Sequence, residues 1–507
     1  MIMKKTIKIM SLAVVLLTAM SACDLNKYPY DSFEQSQSFV TVKDATTLST
    51  GFYGNFRANV NGIYTYTSDV QGDQLNATLD FGNRNGAPHK WTTFLADDYN
   101  IRDVWAGYYN ALIGVNNFLN NVDKISTDNA VATVKASNIA LISKYKGEAH
   151  LLRAFYFHQL VLKWAKAYSP ASAATDLGIP IVLTFDFLVK PKRATVAEVY
   201  TQILSDIAQA KTLLAAVPGS QSSIKLTIDC AVALEARVAL CMQQWPLAIS
   251  SANSLIASGK YPLITTVTAL KTMWVNDVSS EVILQLFAST NNELSNAANI
   301  NSIYLGFVSA KNWYTPDFVP EQWVVDLYDN TDIRKAVYLE KKLLRIQGFS
   351  YPDIYCINKF PGNPALFTAA TTNYQQMPKV FRVAEMYLIS AEAAAQTPAT
   401  EAAALITLNQ LRTSRGIAAL TGLSGTVLMN AVKDERTREM LCEGTRLDDL
   451  KRWKMGFTRS APQNSILAIS GADFTKKTVL ATDNKFVWGI PANDITINSN
   501  LSQNLGW

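Results

Sequence analysis

The sequence predicts a mainly α-helical fold in which helical hairpins stack into a superhelix, with one irregular, loop-rich region that carries short strands. Two observations lead to this prediction. Apolar residues recur at helical spacing over most of the chain, and the predicted helices come in pairs joined by short polar breaks. Stacked hairpins also need small side chains where helices cross. Small residues occupy the predicted crossings: Ala149, Ala154, Ala231, Ala233, Ala236, Ala239, Ala248 and Ala252.

Residues 1–22 have the composition of a secretory signal peptide. Lysines near the start precede an apolar run from Ile9 to Met20, which at about 1.5 Å per residue is too short to span a bilayer. The run ends in Met20-Ser21-Ala22-Cys23, the pattern of a bacterial lipobox. The chain would be cut before Cys23, and lipid attached there would anchor the protein to a membrane. Residues 23–38 are polar and are expected to form a tether.

Residues 39–261 are predicted to form an N-terminal helical region. The segment from Lys144 to Tyr168 is apolar on nearly all sides, which is typical of a helix buried between neighbours. Thr195 and Glu198 fit a capping box at the start of a helix that ends near Ala216. Further helices are predicted over Arg102–Val122, Ala231–Met242 and Pro246–Ser258. The first of these carries a helical stripe formed by Trp105, Tyr109, Leu112 and Asn116.

Residues 262–376 have a different composition. Their helical signal is weak, polar and aromatic residues are common, and short β-prone runs such as Val282–Phe287 occur. A long irregular segment of this kind is usually either functional or disordered, and the aromatic residues argue against disorder. We therefore expect a loop-rich, ligand-binding insertion.

Residues 377–507 are expected to return to helix and to end in a tail of loops and short strands from Ser460. The helices of this C-terminal region are predicted over Pro378–Gln396, Glu401–Gly416 and Leu428 to about Trp453.

The charge and the cysteines exclude several classes of function. The formal net charge of +5 falls to about +2 without the leader, and no basic stripe occurs, which argues against a nucleic-acid partner. With no HExxH motif and no phosphate-binding loop, the sequence indicates no metal and no cofactor. Four cysteines show no ligand spacing and are expected to be free buried thiols: Cys230, Cys241, Cys356 and Cys442.

The carboxylates near the C-terminus admit a catalytic and a structural interpretation. Glu435, Glu439 and Glu443 fall at i, i+4 and i+8 on one helical face, and paired carboxylates can hydrolyse glycosides. Arginines share this surface at i+3 or i+4 spacing, which favours structural ion pairs and a non-enzymatic protein. The pairs expected to fix helix docking are Glu435–Arg438, Glu443–Arg446, Asp448–Arg452, Glu148–Arg153 and Arg382–Glu385.

Binding of an extended polar ligand is the remaining class of function. A glycan presents C–H faces that stack on aromatic rings and hydroxyls that hydrogen-bond to acids, amides and arginine, so its site needs exposed aromatics with such groups nearby. Two segments have this composition, Tyr64–Asp98 and Tyr304–Trp323. The candidate ligand-binding residues are Tyr66, Asp69, Asp73, Gln74, Asn83, Arg84, Trp91, Tyr304, Trp313 and Tyr314.

Three C-terminal stretches are distinctive in combination: FRVAEMYLISAEA (381–393), LNQLRTSRG (408–416) and DERTREMLCEGTRLDDLKRW (434–453). With the terminal QNLGW and the lipobox, they resemble the SusD/RagB family of outer-membrane nutrient-binding lipoproteins. The N-terminal half agrees through Gly147–Ala149, Leu152–Phe155, Asp69–Asp73 and the Trp105 helix with Asn116–Phe118. At position 505, where the family commonly has a proline, this chain has Leu505.

The resemblance implies a tetratricopeptide-like helical-hairpin superhelix with a ligand-bearing region packed on it. It also implies a partner, a TonB-dependent β-barrel transporter of the SusC type. The protein would be lipid-anchored at the cell surface, cover the barrel as a lid, and pass captured glycan inward. Three alternatives remain open: a RagB-type lid that binds peptides, a surface glycosidase, and a structural lipoprotein that stabilises the barrel.

Overall fold

The computed structural model describes most of the chain. The described residues are 38–79, 86–186, 188–289, 303–308, 311–367, 374–460, 462–464, 467 and 477–507. The predicted signal peptide, the lipobox with Cys23, nearly all of the tether, and Asn83 and Arg84 lie outside them.

The N-terminal half is built from helices. The first are α1 (Val42–Ala58), α2 (Ile63–Gln71), α3 (Ala87–Lys90), α4 (Tyr99–Asn121) and α5 (Ala132–Trp164). They are followed by α6 (Val196–Leu213), α7 (Ile228–Cys241), α8 (Trp245–Ala257) and α9 (Val267–Val275). Thr195 and Glu198 form a reciprocal capping box at the start of α6, which confirms that prediction.

Helix α5 begins at Ala132, well before the predicted start at Lys144. Its first turns are mostly exposed, so they lack the apolar stripe by which a sequence reveals a helix. From Gly147 to Trp164 nearly every residue is buried, as predicted. At Gly147 the helix lies so close to the end of α6 that an added Cβ would be 2.7 Å from Cγ of Leu214. This crossing requires a residue without a side chain.

Short strands and further helices make up the rest of the chain. The strands are β1 (Leu75–Ala77), β2 (Val282–Gln285), β3 (Phe307–Val308), β4 (Trp313–Tyr314), β5 (Phe318–Pro320), β6 (Leu339–Ile346), β7 (Phe349–Ile357), β8 (Lys379–Arg382), β9 (Phe457–Thr458) and β10 (Thr478–Val479). The helices are α10 (Gln322–Asp326), α11 (Lys335–Tyr338), α12 (Val383–Ala394), α13 (Glu401–Ser414), α14 (Gly425–Glu439), α15 (Arg446–Arg452) and α16 (Ala492–Ile497).

The strands pair across large distances in sequence. β1 pairs with β5, β2 with β8, and β9 with β10, all antiparallel. A larger sheet has the strand order β3–β4–β6–β7, in which only the β4–β6 pairing is parallel. The β2–β8 pair ties the insertion to the C-terminal region.

Two predicted C-terminal helices are wrong in extent. Lys379–Arg382 is strand β8 rather than the start of a helix, because these residues pair with β2 in a ladder that sequence spacing does not reveal. The helix predicted from Leu428 to about Trp453 is interrupted after Glu439 and resumes at Arg446. The break contains Gly444 with φ of 78°, a conformation that favours glycine. There a Cβ would lie 3.0 to 3.1 Å from Thr65, so the backbone needs glycine to approach α2.

The described structure is mainly helical with short strands, which confirms the predicted fold class. The largest apolar core joins α1 and α4–α8 to α12, and a second core lies under the insertion. Within the described ranges, none of the helices combines the length and the apolar composition needed to cross a membrane. Cys230, Cys356 and Cys442 are free and buried as predicted, and Cys241 is free and partly buried.

Candidate functional site

The two predicted binding segments meet at one short ladder. Asn76 on β1 lies opposite Val319 on β5, and its side-chain amide donates to the Glu321 carboxylate at 3.2 Å. The indole N–H of Trp323 donates to the same carboxylate at 3.0 Å. Although 245 residues separate Asn76 from Glu321 in sequence, the segments Tyr64–Asp98 and Tyr304–Trp323 form one continuous region.

The acidic residues of the first segment are held by the C-terminal motif. Both carboxylate oxygens of Asp73 accept from Arg446, each at 2.7 Å. Asp69 accepts from the backbone N–H of Gly444 at 2.7 Å, and burial raises the pKa of Asp69 to about 7. These bonds fasten α2 and the loop after it to the break between α14 and α15. A ligand role for Asp69 or Asp73 stays a prediction.

Three aromatic rings of the predicted set are buried. Tyr66, Trp91 and Tyr304 are at most 3% exposed, and Gln74 of the predicted set is buried as well. Trp91 has φ of 61°, a left-handed conformation that bulky residues rarely adopt. Its indole N–H donates to the Gln71 carbonyl at 2.8 Å, and its ring packs edge-on against the ring of Phe486, which holds it in place. These three rings are packed in the interior of the protein. Their contact with a ligand stays a prediction.

Trp313 and Tyr314 lie on β4 of the four-stranded sheet, which we call the aromatic sheet. As neighbours on one strand they point to opposite faces. Tyr314 pairs with Phe307 on β3, with ring centroids 4.9 Å apart, and lies beside Leu344 on β6. Trp313 is partly exposed on the other face, where Lys311 and Arg345 approach its ring. The two aromatics predicted from the sequence therefore lie on opposite faces of one sheet.

A cavity of about 570 Å³ opens beside Tyr314. We call it the Tyr314 cavity, and its size falls within the range of about 300–1,000 Å³ typical of small-molecule sites. Its aromatic and apolar lining includes Trp274, Leu305, Phe307, Tyr314, Val337 and Tyr374. Its polar lining includes Lys271, Glu340, Lys342 and Asn358. Apolar walls with a few polar groups are the usual composition of a ligand site.

Lys342 is the cation nearest the Tyr314 ring. Its ammonium lies 4.8 Å from the ring centroid and 2.7 Å from the Glu340 carboxylate. Burial acts to lower the pKa of Lys342, but the bond to Glu340 leaves that pKa above its usual value. The cavity therefore holds the Lys342 ammonium, paired with the Glu340 carboxylate, against an aromatic face.

Sequence reasoning missed part of the cavity. Phe307 lies within the second predicted segment but was not singled out among its aromatics. Trp274 on α9 and Lys342 on β6 lie outside both segments, and only tertiary packing brings them to Tyr314. In the described part of the chain, no group of three or more His, Cys, Asp or Glu side chains is placed to hold a metal.

Glu439 lies at the centre of a buried arginine network. Its carboxylate accepts from Arg334, Arg382 and Arg415 at 3.0, 2.7 and 3.0 Å. These arginines come from the insertion, from β8 and from the end of α13. Burial opposes ionisation of Glu439, but the three guanidinium groups hold its pKa well below its usual value. This network supports the structural interpretation of the C-terminal carboxylates.

Most of the predicted local ion pairs are wrong in their partners. Glu435–Arg438 forms, at 2.9 Å. The others are replaced by contacts between elements: Glu443 with Lys359 and Arg382, Arg446 with Asp73, Asp448 with Lys163, Arg452 with Glu392, Arg153 with Asp206, Glu148 with Ser49, and Glu385 with Arg237. Most of these side chains point into packed interfaces and find an opposite charge on a neighbouring element. Glu148 instead accepts from the Ser49 hydroxyl, and Arg452 also pairs with Asp449 on its own helix.

A smaller cavity of about 140 Å³ lies between the N-terminal helices and the C-terminal motif. The carboxylates in its lining are Glu385, Glu443, Asp448 and Asp449. Each has a lysine or arginine nitrogen within 2.7 Å. Carboxylates neutralised in this way are suited to holding elements together rather than to proton transfer.

Two family profiles match the chain. The profile of the SusD family matches residues 340–507, and one described as starch-binding associating with outer membrane matches residues 30–240. A SusD-like protein of Formosa agariphila is 23% identical, and the alignment covers 99% of each chain.

Solved structures share the fold. A SusD superfamily protein from Bacteroides thetaiotaomicron has a TM-score of 0.77 at 21% identity, with 92% of this chain and all of that chain covered. A protein from Bacteroides vulgatus named for sugar binding has a TM-score of 0.76 at 23% identity, with 93% and 100% covered. The profiles span both the N-terminal helices and the C-terminal motif, and the chain belongs to the SusD/RagB family.

Proposed function

We propose that the chain is a lipid-anchored protein of the outer-membrane surface that captures a glycan and passes it to a SusC-like TonB-dependent transporter. The observation that carries the glycan part is the Tyr314 cavity at the aromatic sheet. A sugar ring packs its C–H face on an aromatic ring and hydrogen-bonds through its hydroxyls. Tyr314 and Phe307 offer the first kind of contact, and Asn358 and Lys342 the second.

The anchoring part of the proposal rests on the lipobox. Lipid at Cys23 would hold the protein at the membrane, and each buried CH₂ contributes about 0.8 kcal/mol to that attachment. The polar residues 23–38 would let the body rest on a transporter and lift from it. The matched family described as associating with the outer membrane supports this location.

Titration of the full chain with oligosaccharides and with peptides tests the ligand class. We expect glycan binding by calorimetry, and a loss of at least about tenfold, or ~1.4 kcal/mol, in each of Trp313→Ala and Tyr314→Ala. Phe185→Ala removes a partly exposed aromatic that belongs neither to the aromatic sheet nor to the Tyr314 cavity, so it serves as the control.

Each rival function predicts a different result. Binding of peptides with no binding of any glycan would replace the ligand class with that of a RagB-type lid. Release of shortened sugars by the pure protein would indicate a glycosidase. Unchanged glycan uptake by cells that carry both alanine variants would favour a structural lipoprotein. Failure of the full chain to co-purify with a β-barrel transporter would remove the transfer step.

A further inference from the structure

We infer that the glycan captured at the aromatic sheet is anionic, with carboxylate or sulfate groups on its sugars. The inference rests on the proposed function, since it names the class of glycan that the aromatic sheet would take. It is carried by a set of cations placed directly against the aromatic rings that would stack on sugar.

Both cations beside Trp313 lie on the partly exposed face of the sheet. The Lys311 ammonium is 4.9 Å from the Trp313 ring centroid, and the Arg345 guanidinium is 5.5 Å from it. A cation at this distance interacts favourably with the ring, which holds the charge where a stacked ligand would meet it. Lys311 and Trp313 are close in sequence, but Arg345 reaches the ring from β6.

The same arrangement recurs on neighbouring rings. Lys342 lies 4.8 Å from the Tyr314 ring centroid, and Lys341 lies 5.3 Å from that of Tyr355. Lys271 adds a further cation to the lining of the Tyr314 cavity. Three rings of the aromatic sheet, those of Trp313, Tyr314 and Tyr355, thus each have a cation over them, so the arrangement is not confined to one residue.

Most of these cations have no carboxylate partner among the described residues, whereas the cations around Glu439 in the interior are paired. Among the described residues, Lys311, Lys341 and Arg345 have no ion pair, and Arg345 donates instead to the Ser350 hydroxyl at 2.6 Å. Glu340 is occupied by Lys342. By contrast, Arg334 and Arg382 are fully paired in the buried network around Glu439. In a chain with a net charge of only +5, the unpaired positive charge at the aromatic sheet is a local concentration.

An acidic sugar would pair with the cations of this surface, whereas a neutral sugar would not. A uronate or sulfated sugar keeps an apolar face for stacking and carries its charge at the ring edge, next to the cation. Arg345 can meet a carboxylate or sulfate with two parallel N–H bonds, and Lys311 supplies a point charge. A neutral sugar would cover the same cations without pairing them, and burying an unpaired charge costs free energy. Charge complementarity therefore selects an anionic ligand.

The test compares ligands of matched shape with the full chain. Oligogalacturonate is set against its fully methyl-esterified form, and a sulfated galactan oligosaccharide against the unsulfated one. We expect the anionic member of at least one pair to bind at least about tenfold more tightly at low salt, with the difference shrinking as NaCl rises toward 1 M, where the Debye length is about 3 Å. In the double variant Lys311→Gln, Arg345→Gln, the preference should fall below about threefold while binding of the neutral member persists.

A matched control comes from another part of the molecule. Lys225 lies 3.9 Å from the ring centroid of Tyr53, outside the aromatic sheet and the Tyr314 cavity, so Lys225→Gln removes the same kind of contact elsewhere and should leave the preference unchanged. Equal binding of both members of each pair, with no dependence on salt, would overturn the inference and leave the proposed function standing. Binding of neither member of any pair, together with no binding of other glycans, would overturn both.

Discussion

Asp73 and Arg446 form a bidentate ion pair across 373 residues of sequence, with Nε to Oδ1 and Nη2 to Oδ2 both at 2.7 Å. Each side chain is about one tenth exposed. Arg446 also donates to the Thr437 hydroxyl at 2.9 Å, so its charge is well satisfied. The pair fastens the first predicted binding segment to the C-terminal motif. It joins the part of the chain that carries the family signature to the loop that leads into strand β1.

Removal of one partner of this pair should destabilise the fold. We expect Asp73→Ala to lower the free energy of unfolding by about 3 kcal/mol, because it leaves a nearly buried guanidinium unpaired. Urea denaturation measures the effect. Asp128→Ala breaks a surface pair with Lys135 and should change stability little. Equal effects of the two substitutions would contradict a structural role for Asp73.

Stability should fall as pH rises through the pKa of Asp69. Burial raises this pKa to about 7, whereas an unfolded Asp has a pKa of about 3.9. The folded state therefore holds a proton that the unfolded state has released, and the stability from this proton is present below about pH 4 and lost by pH 7 and above. Asp69→Asn keeps an acceptor for the Gly444 N–H. Its stability relative to the parent should be more favourable at pH 8 than at pH 5, as measured by urea midpoints. A constant difference between the two would refute this assignment.

Replacing each of two helical glycines by alanine should change the stability of the protein in opposite directions. Gly147→Ala should cost about 1–3 kcal/mol, since the new Cβ would press on Leu214 at 2.7 Å. Gly114 on α4 has no atom within 4 Å of an added Cβ. Gly114→Ala should therefore stabilise the protein by about 0.5–1 kcal/mol, because alanine is the better helix former. Thermal melts of the pair give the comparison, and a stabilised Gly147→Ala would show that the α5–α6 crossing is loose.

The anchor should be separable from the site. Cys23→Ala should leave the fold and the ligand affinity unchanged while the protein leaves the membrane fraction, because lipid would no longer be attached. Fractionation of cells followed by glycan titration of the released protein measures both. Loss of affinity in the released variant would show that Cys23 does more than anchor.

The helices were largely readable because they repeat a local pattern. The stripe of Trp105 and Leu112 on α4 and the capping box of Thr195 depend only on residues within a few positions of one another, and both are confirmed. The exposed start of α5 lacked such a stripe and was missed. Strand β8 was misread as helix because its partner β2 lies about a hundred residues away.

The site was less predictable, since its geometry depends on long-range packing. The aromatics Trp313 and Tyr314 were identified by composition, but nothing local distinguishes them from the buried Tyr304. The spacing of Glu443 and Arg446 suggested a pair, yet the turn at Gly444 separates them and each finds its partner on another element. Sequence spacing predicts that a charge will be paired more reliably than it predicts with which residue.

The arginine network around Glu439 bears on how a captured ligand could be released. Arg334, Arg382 and Arg415 reach one carboxylate from three separate segments, and none of the four side chains is more than 2% exposed. Swinging the insertion away from the helices would strand several guanidinium charges in an apolar interior at once. Opening the structure at this junction would therefore cost a large free energy. The proposed transfer of glycan would then involve movement of the whole body, or competition by the recipient, rather than opening of the proposed site.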